Sequence, residues 1–198
     1  MKSLSDEFKF IMQKTWPVII FICVISIIFR IMSLLKNKKR FVFHEEVSYL
    51  LALVYILCLF QVVTSQDVEG VHGVNITLFE EMTRYQIGSN LFYRNIIGNI
   101  VLFTPFGFLL GHIFKINKYW QVTILTLLTS LLIETIQLSI GRAFDVDDIV
   151  LNVIGGLLGY LVYRLLSKVF EKYNHKVKDI VLTIFLIIAF MGIIMIIM

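Results

Sequence analysis

Long apolar runs, broken by short polar strings, set the pattern of this chain. A helix that crosses a membrane needs about 20 mostly apolar residues. Six stretches approach that length: 16–35, 47–64, 95–114, 119–140, 149–166 and 180–198. Helices apolar on every side belong in lipid or in a core. The predicted fold class is therefore all-α, a polytopic transmembrane helix bundle of about six spanning helices.

The longest interval between runs is 65–93. Within it Val74 to Phe79 alternates only loosely. Leu78 to Phe92 fits an amphipathic helix at the membrane interface, or else a solvated loop. Asn75-Ile76-Thr77 matches the glycosylation triplet, a pattern that also arises by chance. The first apolar run ends in Lys36-Asn37-Lys38-Lys39-Arg40 with no small-residue cleavage site, and Asp6 and Glu7 interrupt the region where a basic leader would lie. It is expected to stay as a spanning helix. Three parts follow: a hairpin and loop over 1–69, a core over 70–166, and a loop with an anchor helix over 167–198.

Composition supports lipid as the solvent. Of 198 residues 58% are apolar and 16% charged, with a mean hydropathy of +0.86; a soluble domain is nearer half apolar and a quarter charged. Lys and Arg favour cytoplasmic loops. They concentrate in 36–46, at Lys115 and Lys118, and at Lys168, Lys172, Lys176 and Lys178. The intervening loops carry Asp67, Glu69, Glu80 and Glu81, then the aspartates of 145–148. One topology satisfies all of them, with 65–93 and 141–148 outside and both termini extracytoplasmic. The net charge of +4 is then a positive-inside bias, helped by anionic lipid at the cytoplasmic face. No nucleic-acid partner is expected. Cys23 and Cys58 lie mid-segment and read as packing residues. There is no CxxC pair, and the four histidines are scattered.

Against this background a few polar residues stand out. Asn95 and Asn99 are four apart at the start of the third run. Glu134 and Gln137 lie inside the fourth, with only Thr and Ser for polar company. Arg142, Asp145, Asp147 and Asp148 fill the turn before the fifth, and Asn152 lies one turn into it. With the topology above, Glu134 sits about 9 Å below the outer end of its helix, and Asn99 and Asn152 about 6 Å. If these faces converge, they form a polar pocket open to the outside. Gly107-x-x-x-Gly111 and Gly155-x-x-x-Gly159 provide small-residue spacings that let helices approach closely. Pro105 removes a backbone donor and predicts a kink near Val101.

Each of these residues has a plainer account. The aspartates and Asn95 suit helix caps, Asn99 and Asn152 suit interhelical hydrogen bonds, and Arg142 suits a pairing within the turn. Glu134 is hardest to explain structurally. A carboxylate so deep stays protonated or needs a partner, for which Arg142 is the natural candidate.

The string Asn95-x-x-x-Asn99-x-x-x-Phe103-x-Pro105-x-Gly107, then Glu134-x-x-Gln137, then Gly141-Arg142-x-x-Asp145-x-Asp147-Asp148-x-x-x-Asn152-x-x-Gly155-x-x-x-Gly159, resembles the VanZ-like family over about residues 70–166. Asn75 to Phe79 is similar to a segment found ahead of that core in the family, but lacks its proline. The resemblance implies a multi-pass protein of the bacterial cell membrane, in a family whose name-giving member lowers susceptibility to teicoplanin, a glycopeptide with a fatty acyl chain. It implies no particular reaction.

Three functions compete. The leading one is an envelope protein whose outward polar pocket (Asn95, Asn99, Glu134, Gln137, Arg142, Asp145, Asp148, Asn152) binds an amphiphile: a lipid headgroup, a lipid-linked wall precursor or the lipoglycopeptide. The second is an intramembrane enzyme on a lipid-linked substrate, with Glu134 as catalytic acid or base. In that case Glu134, Asp145 and Asp148 are the candidate ligands of a divalent cation, magnesium or calcium. The third is a lipid transporter, against which no inverted repeat is visible.

Overall fold

The computed structural model describes residues 4–64, 73–79, 83, 86, 88, 89 and 92–197. The elements are α1 (Leu4–Lys36), α2 (Phe43–Thr64), β1 (Val74–Asn75), a π-helical turn (Tyr93–Ile97), α3 (Gly98–His112), α4 (Tyr119–Ser139), β2 (Phe144–Asp145), α5 (Val146–Val169) and α6 (His175–Ile197). Among the described residues five stretches are long and apolar enough to cross a membrane: Trp16–Lys36, Phe43–Thr64, Asn95–His112, Tyr119–Ser139 and Val146–Val169. The expected segment 180–198 lies in α6 apart from Met198, and is not one of those five. The interfacial helix considered over 78–92 falls mostly outside the described residues.

Element boundaries differ from the hydropathy pattern where polar residues extend a helix. α2 begins at Phe43, four residues before its expected start, and carries Glu45 and Glu46 in its first turn, where carboxylates meet the positive end of the helix dipole. α5 begins at Val146, three residues early, because Asp145 caps it by accepting from the Asp147 N–H at 2.8 Å. The third run opens with the π-helical turn, with Asn95 inside it.

The contacts group into two compact units, residues 1–65 with 173–198, and residues 66–172. In the first, α2 packs against both α1 and α6. Arg30 of α1 grips both carboxylate oxygens of Glu46 at 2.8 and 3.0 Å and lies 4.8 Å over the Tyr49 ring. A cation in a spanning helix is thereby neutralised where it would otherwise be costly. Ser48 of α2 and Thr183 of α6 are hydrogen-bonded at 2.8 Å in a buried contact.

In the second unit α3 and α5 run parallel and form the most extensive contact. Ile100 lies beside Gly155 and Thr104 beside Gly159; a Cβ on Gly107 or Gly159 would overlap the backbone carbonyl of Gly156 or Thr104. Gly155 and Gly159 thus let α5 approach the α3 backbone at Ile100 and Thr104, Gly107 lies against the Gly156 backbone, and Gly111 makes room for the Tyr163 ring. α4 lies antiparallel to α5, with Thr126 against Gly156 and Ser130 bonded to Asn152. Phe103, Phe108, Val122, Ile149, Leu151 and Tyr160 fill the core, while Leu128, Leu132 and Leu165 point outward, as a lipid solvent permits.

Candidate functional site

One face of α4 carries Thr126, Ser130, Glu134 and Gln137, all buried. Their spacing of four, four and three places them in a single stripe. Glu134 is 1% exposed. Its Oε2 accepts the backbone N–H of Asp145 at 2.9 Å, and its Oε1 faces the Gln137 amide nitrogen at 2.9 Å, with the amide oriented so that its oxygen accepts from the Arg142 guanidinium. That orientation is assigned from the network, since it satisfies both ends. Gln137 therefore bridges the expected pair of Glu134 and Arg142, and a backbone donor adds to the carboxylate's support.

The turn after α4 gives the site its second wall. Gly141 has φ +89, a left-handed conformation natural to glycine, and the Arg142 N–H returns to the Gln137 carbonyl at 2.9 Å. This closure sends the chain back along α4, so that Asp145 meets Glu134. Asp145 then has three tasks: its backbone donates to Glu134, its Oδ1 caps α5, and its Oδ2 accepts from Asn75 at 3.1 Å.

Asn75 belongs to a strap, residues 73–79, that docks on this corner. Val74 and Asn75 pair in parallel with Phe144 and Asp145, Phe144 N–H donates to the Gly73 carbonyl at 3.0 Å, and Phe79 N–H donates to Asp147 Oδ1 at 2.6 Å. The other end of the Asn75 amide accepts the Thr77 N–H at 3.1 Å. Both ends of this side chain are engaged internally, which is the use the structure makes of the Asn-Ile-Thr triplet.

The remaining polar residues tie the helices together. Asn99 donates to Asp148 Oδ1 and joins α3 to α5. Asn152, 3% exposed, donates to Ser130 Oγ at 2.8 Å and joins α5 to α4. Among the described residues its Oδ1 has no hydrogen-bond partner, nor does Thr126 Oγ1. Asn95 is half-buried in the π-helical turn, which touches both α3 and α5. The polar faces of α3, α4 and α5 do converge on one end of this unit.

Among the described residues no three His, Cys, Asp or Glu side chains are grouped to share a metal ion. Asp148 turns to Asn99 on α3 while Glu134 and Asp145 meet at β2, so the candidate trio is divided between two contacts. The capping account holds for Asp145, and the interhelical account for Asn99 and Asn152. The strap residues Asn75 and Phe79, and Ser130, were not among the expected site residues. Ser130 had a signal in the four-residue spacing from Glu134; Phe79 contributes only a backbone N–H, which leaves no mark in sequence.

A bundle of apolar helices with buried ionisable groups at one end defines a multi-pass membrane protein. The VanZ/LLP1 family model matches residues 46–167, more than half of the chain and all of the polar corner. The chain belongs to that family. Over 78 residues it is 38% identical to Protein VanZ of Enterococcus faecium, covering 38% of this chain and 48% of the relative. The match thus spans about half the length of that relative. No solved structure matches.

Proposed function

We propose that this chain is a VanZ-type envelope protein that lowers susceptibility to teicoplanin-like lipoglycopeptides. It acts by binding an amphiphilic envelope ligand at the polar corner, which faces outward. Family membership supports the general reading. The observation that carries the site is Glu134: a carboxylate buried inside a spanning helix costs up to about 3 kcal/mol to insert, and close helix packing needs no such group. Arg142 contacts a phosphate or carboxylate of the ligand, the asparagines orient it, and the acidic groups select against the wrong charge. A ligand with an acyl chain suits a site whose walls are lipid-facing helices.

The test is teicoplanin and vancomycin susceptibility in a Gram-positive host making the wild-type protein or Glu134→Gln at matched membrane levels. Protection is expected against teicoplanin in preference to vancomycin, and is lost in the variant. Protection that survives the substitution would remove Glu134 from the function. No protection from either protein would overturn the resistance reading.

A further inference from the structure

The first unit holds a separate feature, mostly outside the residues matched by the family model. Between the start of α2 and the first half of α6 lies a cavity of about 810 Å³, within the range of about 300–1,000 Å³ usual for ligand pockets. Its walls are apolar, formed by Phe43, Val47, Ile180, Ile184 and Ile187. Its mouth is polar and is made by His44, Glu45, Asn174, His175 and Lys176. The Ser48–Thr183 hydrogen bond holds the two helices parallel beneath it.

Length and charge both point to one occupant. The α6 wall from His175 to Ile187 rises about 18 Å, close to the roughly 15 Å depth of one leaflet's hydrocarbon. One acyl chain can therefore lie along the groove with its headgroup at the mouth. The Arg30–Glu46 pair places the end of α1 beside the start of α2, so Lys36, Lys38, Lys39 and Arg40 gather at the same end as Lys176. Of the acidic groups there, Glu46 is held by Arg30, and Asp179 is buried, 7% exposed, with His175 at 3.0 Å. Glu45 remains, in the first turn of α2, where the helix dipole favours it. The mouth itself sets Lys176 against Glu45, and the positive excess comes from Lys36, Lys38, Lys39 and Arg40 in the segment that leads into the lining residues Phe41 and Val42.

We propose that this groove binds an anionic phospholipid, with one acyl chain between α2 and α6 and the phosphate-bearing headgroup against Lys176 and the neighbouring basic residues. The site is independent of the polar corner and of the resistance reading.

The experiment uses the full chain in phosphatidylcholine nanodiscs. Trace phospholipids carry the same photoreactive acyl chain on either a phosphatidylglycerol or a phosphatidylcholine headgroup, and adducts are mapped by mass spectrometry. Adducts are expected at Val47, Ile180, Ile184 and Ile187, with phosphatidylglycerol labelling about fivefold above phosphatidylcholine and the preference falling about fivefold in Lys176→Gln, one basic contact having been lost. Ile184→Trp, which fills the groove, reduces labelling by both lipids. Equal labelling by the two headgroups in the wild type would overturn the proposal without reliance on any variant. So would adducts spread evenly over outward residues such as Phe29 and Leu128.

Discussion

Thr126 and Ser130 are both fully buried on the same face of α4, yet only one of them has a partner. Thr123, Thr129 and Thr135 return their hydroxyls to the carbonyl four residues back, at 3.1, 2.8 and 2.7 Å; Thr126 does not, and faces Gly156 instead. An unpartnered buried hydroxyl is a cost, while a made hydrogen bond is a modest gain. Thr126→Val should therefore raise stability by about 1 kcal/mol, and Ser130→Ala should lower it by about 0.6 kcal/mol, the average for interhelical hydrogen bonds in membranes. Thermal unfolding of the detergent-solubilised protein measures both, and a destabilised Thr126→Val would mean that the hydroxyl has a partner after all. Gln137→Leu should cost more, about 1–3 kcal/mol, because it strips a bond from Glu134 and another from Arg142 at once. The residues of this network were legible in the chain as polar intruders in apolar runs. Which of them touch was not, since spacing along one helix says nothing about the partner's rotation.

At the scale of elements, the pairing of α3 with α5 was foreshadowed by two glycine spacings. A small-residue repeat marks a close approach, but identifies neither partner nor direction. The structure runs the two helices in parallel, with Gly155 and Gly159 against Ile100 and Thr104 and Gly107 against Gly156. Glycine positions along α3 then differ in consequence. A Cβ on Gly107 meets the Gly156 backbone, whereas at Gly98 the nearest neighbour, the Tyr93 carbonyl, is at 3.7 Å, an ordinary contact. Gly107→Ala should destabilise by about 1–3 kcal/mol through overpacking, and Gly98→Ala should be neutral or slightly stabilising, given the better helix propensity of alanine. Parallel unfolding curves would show the contrast, and equal loss at both positions would refute the packing account. The strap belongs to the same scale. Asn75→Ala removes its side-chain bonds to Asp145 and Thr77, and should expose the 73–79 segment to protease in outside-out vesicles before the helices unfold.

For the whole molecule, the basic loops predict an orientation that cysteine accessibility can check. With Cys23 and Cys58 replaced by alanine, Ser89→Cys should react with an impermeant maleimide on intact cells, and Lys38→Cys only after permeabilisation. The reverse pattern would turn the polar corner to the cytoplasm and refute its outward placement. By itself the chain determined what is local: where apolar length suffices to span a bilayer, which loops are basic, and which few polar groups are too expensive to be there by default. Tertiary structure alone decided that Gln137 stands between Glu134 and Arg142, that Asp148 parts from Glu134 and Asp145, that residues 73–79 fold onto a corner 70 positions away, and that α2 and α6 leave a groove between them. The reason is physical. Hydropathy and helical period are properties of neighbours in sequence, whereas a hydrogen bond or a cavity depends on how two helices are rotated toward each other. The polar stripe of α4 marks that helix's own inward face, but not which residues of its neighbours meet it.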